Sequence, residues 1–212
     1  MKNIYLLRHT ESEKNLKIAF GDIKNPFSLT DKGQTHAMNI GVHINENIAN
    51  NESIAIFNSS SRRAIETAQI IANVLKIGCN TVDLFSVNSG NFGGKTYEEQ
   101  ALLFPEFNEK EKKYCNGLLS GLELIYPNGE SMVDFQNRII AKFENIVTNS
   151  NKNNIFVVCH QSVIGAILNK YKRMKRFEYE FLHTDLGHFA KLELKENEIT
   201  LLIYNSKTLP TS

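Results

Sequence analysis

Arginine and histidine residues occur directly after three apolar stretches of the chain. Arg8 and His9 follow the first stretch. Arg62 and Arg63 lie shortly after the second, and His160 follows the third. The chain has only 6 Arg, so three of them at these points are a marked concentration. Guanidinium groups bind phosphate oxygens through paired hydrogen bonds. The pattern therefore predicts a site for a multiply charged anion, phosphate above all, if the fold brings the three points together.

An alternation of strands and helices would bring these points together. Residues 3–7, 53–58 and 155–159 are short, apolar and typical of buried strands. Each is followed by a helical pattern, the first of which begins at Thr30, a residue suited to an N-cap. Such alternation is typical of a mostly parallel sheet covered by helices on both faces. The carboxyl ends of its strands share one edge, where we expect the three charged clusters to meet.

The remaining segments predict an insertion and an edge hairpin. Residues 81–87 predict a further short strand, and residues 187–194 with 198–205 predict a final hairpin. Residues 88–128 interrupt the alternation with five glycines, two prolines and short helical pieces. We therefore expect a single α/β domain over residues 1–212. It has three α/β/α layers, a mostly parallel central sheet and a small helical cap insertion at about residues 88–128.

The composition argues against several other classes of protein. The 212 residues include 24 Lys and Arg against 23 Asp and Glu, so a nucleic-acid partner bound through bulk charge is not expected. The apolar runs fall far short of the ~20 residues that span a membrane, so no membrane partner is expected either. The three cysteines, Cys79, Cys115 and Cys159, have neither disulfide nor metal spacing, which favours a cytoplasmic protein without a bound metal.

Five short motifs follow one another between residue 4 and about residue 168. They are an Arg-His element at 7–11 with Asn15, Leu-Thr-x-x-Gly-Gln at 29–34 with Ala37, Ser-x-x-x-Arg-Ala-x-x-Thr-Ala at 59–68, Gly-Glu-Ser at 129–131 with Arg138, and a second-histidine element at 157–160. In order and spacing the set resembles the histidine phosphatase superfamily, also called phosphoglycerate mutase-like. Arg63 is the matched arginine of the third element, and Arg62 lies outside it.

The resemblance implies hydrolysis of a small phosphorylated substrate without a metal or other cofactor. His9 would be the nucleophile that forms a phosphohistidine, which water then hydrolyses. The other matched residues would bind the phosphoryl oxygens: Arg8, Asn15, Arg63, His160 and Gln161, the last through its backbone N–H. His9 must be neutral to attack phosphorus, so His160 is the better candidate for a cation.

The chain departs from the family pattern at three points. Thr10 stands where the family has glycine, which a negative φ would allow, and Gln161-Ser162 replaces two glycines. The third departure concerns the general acid, because alignment on residues 91–93 places Ser89 at its position. A serine hydroxyl is a poor proton donor to an alkoxide, and losing a general acid usually costs ~10²–10⁴-fold in rate.

Four explanations of the missing acid stay open. Another carboxyl group could donate the proton, and the candidates are Glu11, Glu13, Glu98 and Glu99. The substrate could be an activated phosphate, the enzyme could be slow, or the protein could bind phosphorylated ligands without hydrolysing them. A phosphoglycerate mutase-type phosphotransferase is the alternative enzyme, although the reduced acid segment favours hydrolysis.

The sequence leaves the substrate and the oligomeric state unspecified. Five aromatic residues of the insertion could line a pocket or form a local core, and we favour the core: Phe92, Tyr97, Phe104, Phe107 and Tyr114. The basic cluster at residues 170–176 is expected at a helix C-terminus, where positive charge complements the helix dipole.

Overall fold

A six-stranded sheet lies at the centre of the computed structural model, which describes residues 1–17, 27–48, 53–171 and 183–209. The strands in these ranges are β1 (Lys2–Arg8), β2 (Ile54–Ser59), β3 (Cys79–Val82), β4 (Asn154–Cys159), β5 (Phe189–Lys195) and β6 (Glu198–Ser206). Their spatial order is β3-β2-β4-β1-β5-β6. The first four are parallel, and β5 and β6 add an antiparallel hairpin beside β1. The predicted mostly parallel sheet is confirmed.

Seven α-helices occur in the described ranges. They are α1 (Glu13–Lys17), α2 (Asp31–Asn47), α3 (Arg62–Leu75), α4 (Tyr97–Leu103), α5 (Pro105–Cys115), α6 (Met132–Asn149) and α7 (Gln161–Tyr171). The predicted N-cap Thr30 is present, since its hydroxyl accepts the N–H group of Gly33, and Ser131 caps α6 in the same way by accepting the N–H group of Asp134. None of these helices is long and apolar enough to cross a membrane.

Alternation along the strands places the core on both faces of the sheet. In β1, Ile4 and Leu6 pack into one buried cluster together with residues of α6 and α7. Tyr5 and Leu7 pack into a second cluster with residues of α2 and α3. Successive side chains of a strand point to opposite faces, so this division produces the predicted α/β/α layers.

The strand predicted at residues 81–87 is wrong in its bounds. β3 pairs with β2 in parallel from Cys79 opposite Ile56 to Val82 opposite Ser59. The ladder stops where β2 itself ends, because a strand needs a partner for its backbone groups. The chain then passes beyond the carboxyl edge of the sheet, where Ser86 and Val87 line a cavity.

Residues 88–128, called the cap segment below, lie outside the sheet and contain α4 and α5. The Phe92 ring lies 4.7 Å from that of Phe104 and 4.8 Å from that of Phe107, measured between centroids. These three form a local core, as the sequence predicts, whereas Tyr97 and Tyr114 line the cavity.

Only the start of the basic cluster at residues 170–176 can be placed. Lys170 and Tyr171 end α7, and both contact the Glu144 carboxylate, at 2.6 and 2.9 Å. Residues 172–176 lie outside the described residues.

Candidate active site

The carboxyl ends of β1, β2 and β4 bring the predicted charged residues together. Arg8 is the last residue of β1, Arg63 lies in the first turn of α3 after β2, and His160 directly follows β4. Together with His9 they line one cavity of about 190 Å³. Arg62 is exposed and pairs with Glu66 at 2.8 Å, so it lies outside the site, as the motif predicts.

His9 is neutral, and its orientation is fixed by two hydrogen bonds. The residue is only 3% exposed. Nδ1 lies 2.8 Å from the carbonyl oxygen of Thr10, which can only accept, so Nδ1 carries the proton. Nε2 accepts a hydrogen bond from Nε of Arg63 at 3.1 Å. Burial, followed by the charge of Arg63, holds the pKa of His9 well below its usual value of 6.5. The lone pair of Nε2 is therefore available.

His160 is also neutral. Its Nδ1 lies 3.3 Å from Nη2 of Arg63, which can only donate, so Nδ1 is the acceptor. Its Nε2 lies 2.9 Å from Oγ of Ser59 and 3.1 Å from Oγ of Ser61. Burial and then Arg63 hold the pKa of His160 well below its usual value. The expectation that His160 is a cation is wrong for this structure, because one arginine donates to both histidines.

Ser61 is the N-cap of α3 but makes no side-chain cap hydrogen bond. Its hydroxyl lies against His160 instead. When no capping side chain accepts the N–H groups in the first turn of a helix, these groups remain available to bind an anion. Because Arg63 belongs to this turn, the helix end lies beside the cavity.

Arg8 keeps an unused donor. Its Nη1 donates to the carbonyl oxygen of Thr184 at 2.6 Å and to Oε1 of Gln161 at 3.4 Å. The same Oε1 accepts the N–H of Thr184 at 2.7 Å, so the Gln161 side chain holds these groups in place. Within the described part of the chain, the buried Nε of Arg8 has no hydrogen-bond partner. A buried unpaired donor of this kind favours an anionic ligand.

Lys14 is a cation of the cavity that the sequence analysis missed. Its side chain lines the cavity, and burial, with the charges of Arg63 and Arg8, lowers its pKa to about 8. The only signal was its place beside Asn15 in the first motif. Asn15 itself is not among the described residues that line the cavity, and its Oδ1 accepts from the N–H and hydroxyl of Ser12.

Thr10 replaces the family's glycine without backbone strain. It is not among the described residues with positive φ, so the condition for a side chain at this position is met. Its N–H donates to Oγ1 of Thr67 at 3.3 Å, and that hydroxyl donates to the Arg63 carbonyl at 2.8 Å. Thr67 thus connects the backbone beside His9 to α3.

The predicted replacement acids have other contacts. Glu99 forms the capping box of α4 with Thr96, and Glu98 is exposed beside it. Glu11 pairs with Lys32, and Glu13 accepts from the N–H of Ser28. None of these four carboxyl groups is among the described residues that line the cavity.

Ser89 does line the cavity, and it is only 4% exposed. The carboxyl group that also lines the cavity is Glu111 of α5, which the sequence analysis did not consider. Residues 109–113 are two glutamates and three lysines, a composition that is typical of a solvated helix face. The sequence therefore carried no signal that Glu111 lines a cavity.

Within the described ranges, no three His, Cys, Asp or Glu side chains are grouped to bind a metal ion. The cavity instead contains the cationic groups of Arg8, Lys14 and Arg63 together with the carboxyl group of Glu111. An excess of cations in a partly enclosed cavity is suited to a phosphate dianion.

Comparisons with known proteins show which proteins the chain is similar to. The 6-phosphofructo-2-kinase/fructose-2,6-bisphosphatase 4 of Homo sapiens is 28% identical over 194 residues, which are 90% of this chain and 37% of that protein. The 6-phosphofructo-2-kinase/fructose-2,6-bisphosphatase of Gallus gallus is 27% identical over 193 residues, 89% of this chain and 37% of that protein. The chain thus spans less than half the length of these curated relatives.

Solved structures share the whole fold. An alpha-ribazole phosphatase from Shigella flexneri superposes with a TM-score of 0.80 at 19% identity, covering 99% of both chains. A phosphoserine phosphatase from Entamoeba histolytica superposes with a TM-score of 0.76 at 22% identity, covering 98% of both chains. The family model of the histidine phosphatase superfamily (branch 1) matches residues 4–207. The chain therefore belongs to this superfamily.

Proposed function

We propose that the protein hydrolyses phosphomonoesters through a phosphohistidine on His9. The observation that carries the proposal is the state of His9, which is neutral, buried and held with its Nε2 lone pair beside Arg63. A buried histidine that only filled space would not need a fixed tautomer among cations. A nucleophile needs all of these features.

In the first step, Nε2 of His9 forms a bond to phosphorus as the bond from phosphorus to the leaving-group oxygen breaks. Arg8 and Arg63 bind the non-bridging oxygens, where negative charge is concentrated in the transition state. The charge of the arriving phosphate raises the pKa of Lys14 and His160, so both groups bind it as cations. Asn15 and the backbone N–H of Gln161 remain predicted phosphate ligands.

In the second step, water attacks phosphorus and the bond between phosphorus and Nε2 breaks. Inorganic phosphate leaves, and His9 returns to its neutral form. Arg8, Lys14 and Arg63 supply the positive charge that this reaction requires, so we propose that turnover needs no added metal ion or other cofactor.

We propose a small phosphorylated molecule as the substrate. The cavity of about 190 Å³ accommodates a phosphoryl group and a few further atoms. The cap segment provides Tyr97, Tyr114 and Glu111 to its lining, so we propose that this insertion contacts the leaving group. The curated relatives are named for fructose-2,6-bisphosphate, and the structural neighbours are named for alpha-ribazole phosphate and phosphoserine, all of which are small phosphate esters.

Hydrolysis of p-nitrophenyl phosphate in the presence of a chelator tests the proposal. We expect turnover by the wild type and none by His9→Ala. The matched control is His43→Ala, because His43 lies on α2 and its Nε2 accepts from the N–H of Leu209, away from the cavity. We expect this variant to retain wild-type activity.

The intermediate is tested by rapid quenching with a ³²P-labelled ester. We expect an acid-labile, base-stable label in the wild type and in His43→Ala, and none in His9→Ala. Absence of both label and turnover in the wild type would refute the proposal and favour a phospholigand-binding protein. A requirement for a bisphosphate primer would favour the phosphotransferase alternative.

A further inference from the structure

The cap segment contributes one acidic side chain to the cavity. Among the described lining residues, Glu111 is the carboxyl group, and it comes from α5 rather than from the sheet edge that provides His9. A cavity built to bind a phosphate dianion gains no affinity from a carboxylate, which repels the ligand. The presence of Glu111 there requires a different explanation.

The surroundings of Glu111 favour its protonated form. Burial raises the pKa of its carboxyl group. In the described ranges no Lys or Arg forms an ion pair with it. The groups that face it are the Tyr126 hydroxyl, at 3.5 Å from Oε1, and, at longer range, Tyr97 of α4 and Cys115 of its own helix.

Glu109 of the same helix shows the contrast. Its side chain is 65% exposed and pairs with Lys112 at 2.8 Å, and these contacts lower the pKa of its carboxyl group. The two glutamates are two residues apart in sequence, yet one faces solvent and one faces the cavity. Helix geometry separates side chains at this spacing by about 200°, so α5 presents one carboxyl group in each direction.

We propose that Glu111 is the general acid of this protein, supplied by the cap segment in place of the family position that holds Ser89. This inference rests on the proposed function. As the P–O bond breaks, the carboxyl group of Glu111 gives its proton to the leaving-group oxygen, which departs as a neutral alcohol. The Glu111 carboxylate then accepts a proton from the water that attacks phosphorus, and both groups return to their starting forms.

The serine at position 89 fits this assignment. Ser89 and Glu111 line the same cavity, so a glutamate at position 89 would place two carboxyl groups in one small space and raise the cost of ionising either. Tyr97 and Tyr114 of the cavity are weaker acids, because burial raises the pKa of Tyr97 above the usual 10.0 and that of Tyr114 to about 12. Glu111 is the carboxyl group among the described lining residues of the cap segment, and we therefore assign the proton transfer to it.

Two substrates with different leaving groups test the role of Glu111. We expect Glu111→Gln to lower kcat/KM for glycerol phosphate, whose alkoxide needs a proton, by about 10²–10⁴-fold. We expect kcat/KM for p-nitrophenyl phosphate to change by only a few-fold, because kcat/KM reports the step in which the leaving group departs and p-nitrophenolate leaves without a proton. Glu109→Gln is the matched control on the same helix and should hydrolyse both esters as the wild type does.

The pH profile provides an independent readout. As pH rises and Glu111 loses its proton, glycerol phosphate hydrolysis by the wild type should fall more than p-nitrophenyl phosphate hydrolysis, which shares the loss of charge on Lys14. This difference between the two esters should be absent in Glu111→Gln. Equal losses on both esters, or unchanged glycerol phosphate hydrolysis, would overturn the assignment. The assignment would also be overturned if Tyr97→Phe selectively lost glycerol phosphate hydrolysis while Glu111→Gln kept it.

Labelling of His9 separates this inference from the proposed function. With the aryl ester, Glu111→Gln should still form the phosphohistidine, because only the proton donor is lost. Suppose that the wild type and Glu111→Gln both form the labelled phosphohistidine, but Glu111→Gln does not affect the alkyl ester more than the aryl ester. The assignment of Glu111 as general acid is then wrong, and the proposed function stands. If the wild type neither labels nor turns over, both proposals are wrong.

Discussion

Glu130, two residues after the cap segment, and Arg138 of α6 form a two-point ion pair. Nη2 of Arg138 lies 2.8 Å from Oε1 of Glu130, and Nε lies 3.3 Å from Oε2. The same Oε1 accepts the backbone N–H of Asn88 at 2.6 Å. The Gly-Glu-Ser motif therefore holds the residue that precedes Ser89. The close approach of the two backbone segments requires glycine at position 129, because a Cβ on Gly129 would lie 2.2 Å from the Asn88 carbonyl oxygen.

Glu130→Gln should lower the free energy of unfolding by about 1–3 kcal/mol, because it leaves Arg138 without a charged partner in a half-buried position. Glu109→Gln removes an exposed pair with Lys112 and should leave the free energy of unfolding nearly unchanged, because solvent screens the pair. Urea unfolding followed by circular dichroism measures both values. Equal values for the two variants would contradict the role assigned to Glu130.

Arg63→Lys should lower kcat/KM for p-nitrophenyl phosphate by about 10²–10³-fold, the usual cost of losing a donor to developing charge. The Arg63 guanidinium reaches His9 through Nε and His160 through Nη2, and one ammonium group cannot reproduce both contacts. Arg62→Lys is the control, because Arg62 is exposed, and it should stay within about twofold of wild type. An unchanged kcat/KM in Arg63→Lys would exclude Arg63 from phosphate binding.

Lys14→Met should raise stability and weaken phosphate binding. The folded pKa of Lys14, about 8, is lower than the usual 10.5, so its charge opposes folding below about pH 8. This cost declines as pH rises from about 8 to 10.5. At pH 7 we expect the melting temperature to rise by about 2–4 °C, while the dissociation constant for phosphate increases.

Calorimetry and phosphate titration check both effects. Lys32→Met, which removes an 82% exposed lysine, is the matched control and should alter neither. A lower melting temperature in Lys14→Met would show that burial does not oppose the charge of Lys14.

The free energy of unfolding should fall as pH drops below about 6.5. The folded-state pKa values of His9 and His160 lie well below 6.5, whereas in the unfolded chain both take the usual value. The unfolded chain therefore binds protons first, and each histidine contributes about 1.4 kcal/mol per pH unit in this window. A His9→Asn/His160→Asn variant should show a shallower slope in urea unfolding at pH values from 5 to 6.5. An unchanged slope would contradict the neutral state of both rings.

The sequence predicted those features of the fold and site that depend on residues close together in the chain. Strand periodicity, the N-cap Thr30 and the three charged clusters at the strand ends were all visible locally. The bounds of β3 were not, because its register with β2 ends the ladder. The charge of His160 depends on Arg63, which lies close to it only in the folded chain.

Lys14 and Glu111 were missed for a related reason. Both lie in segments with the composition of a solvated surface, and only the packing of α1 and α5 around the cavity turns them inward. Long-range packing of a cap segment leaves no periodic signal in the sequence, since its helices are short and irregular. Residues that face a polar cavity are therefore harder to predict than those of the core.

The hydrogen bond from His9 to the Thr10 carbonyl selects between two chemical isomers. Phosphorylated histidine exists as an Nδ1 or an Nε2 adduct, and these differ in NMR shifts and in recognition by isomer-specific antibodies. Because Nδ1 is occupied by the backbone, we expect the adduct of this protein to be the Nε2 isomer alone. A hydrogen bond within two adjacent residues thus decides which covalent species a detection reagent must recognise.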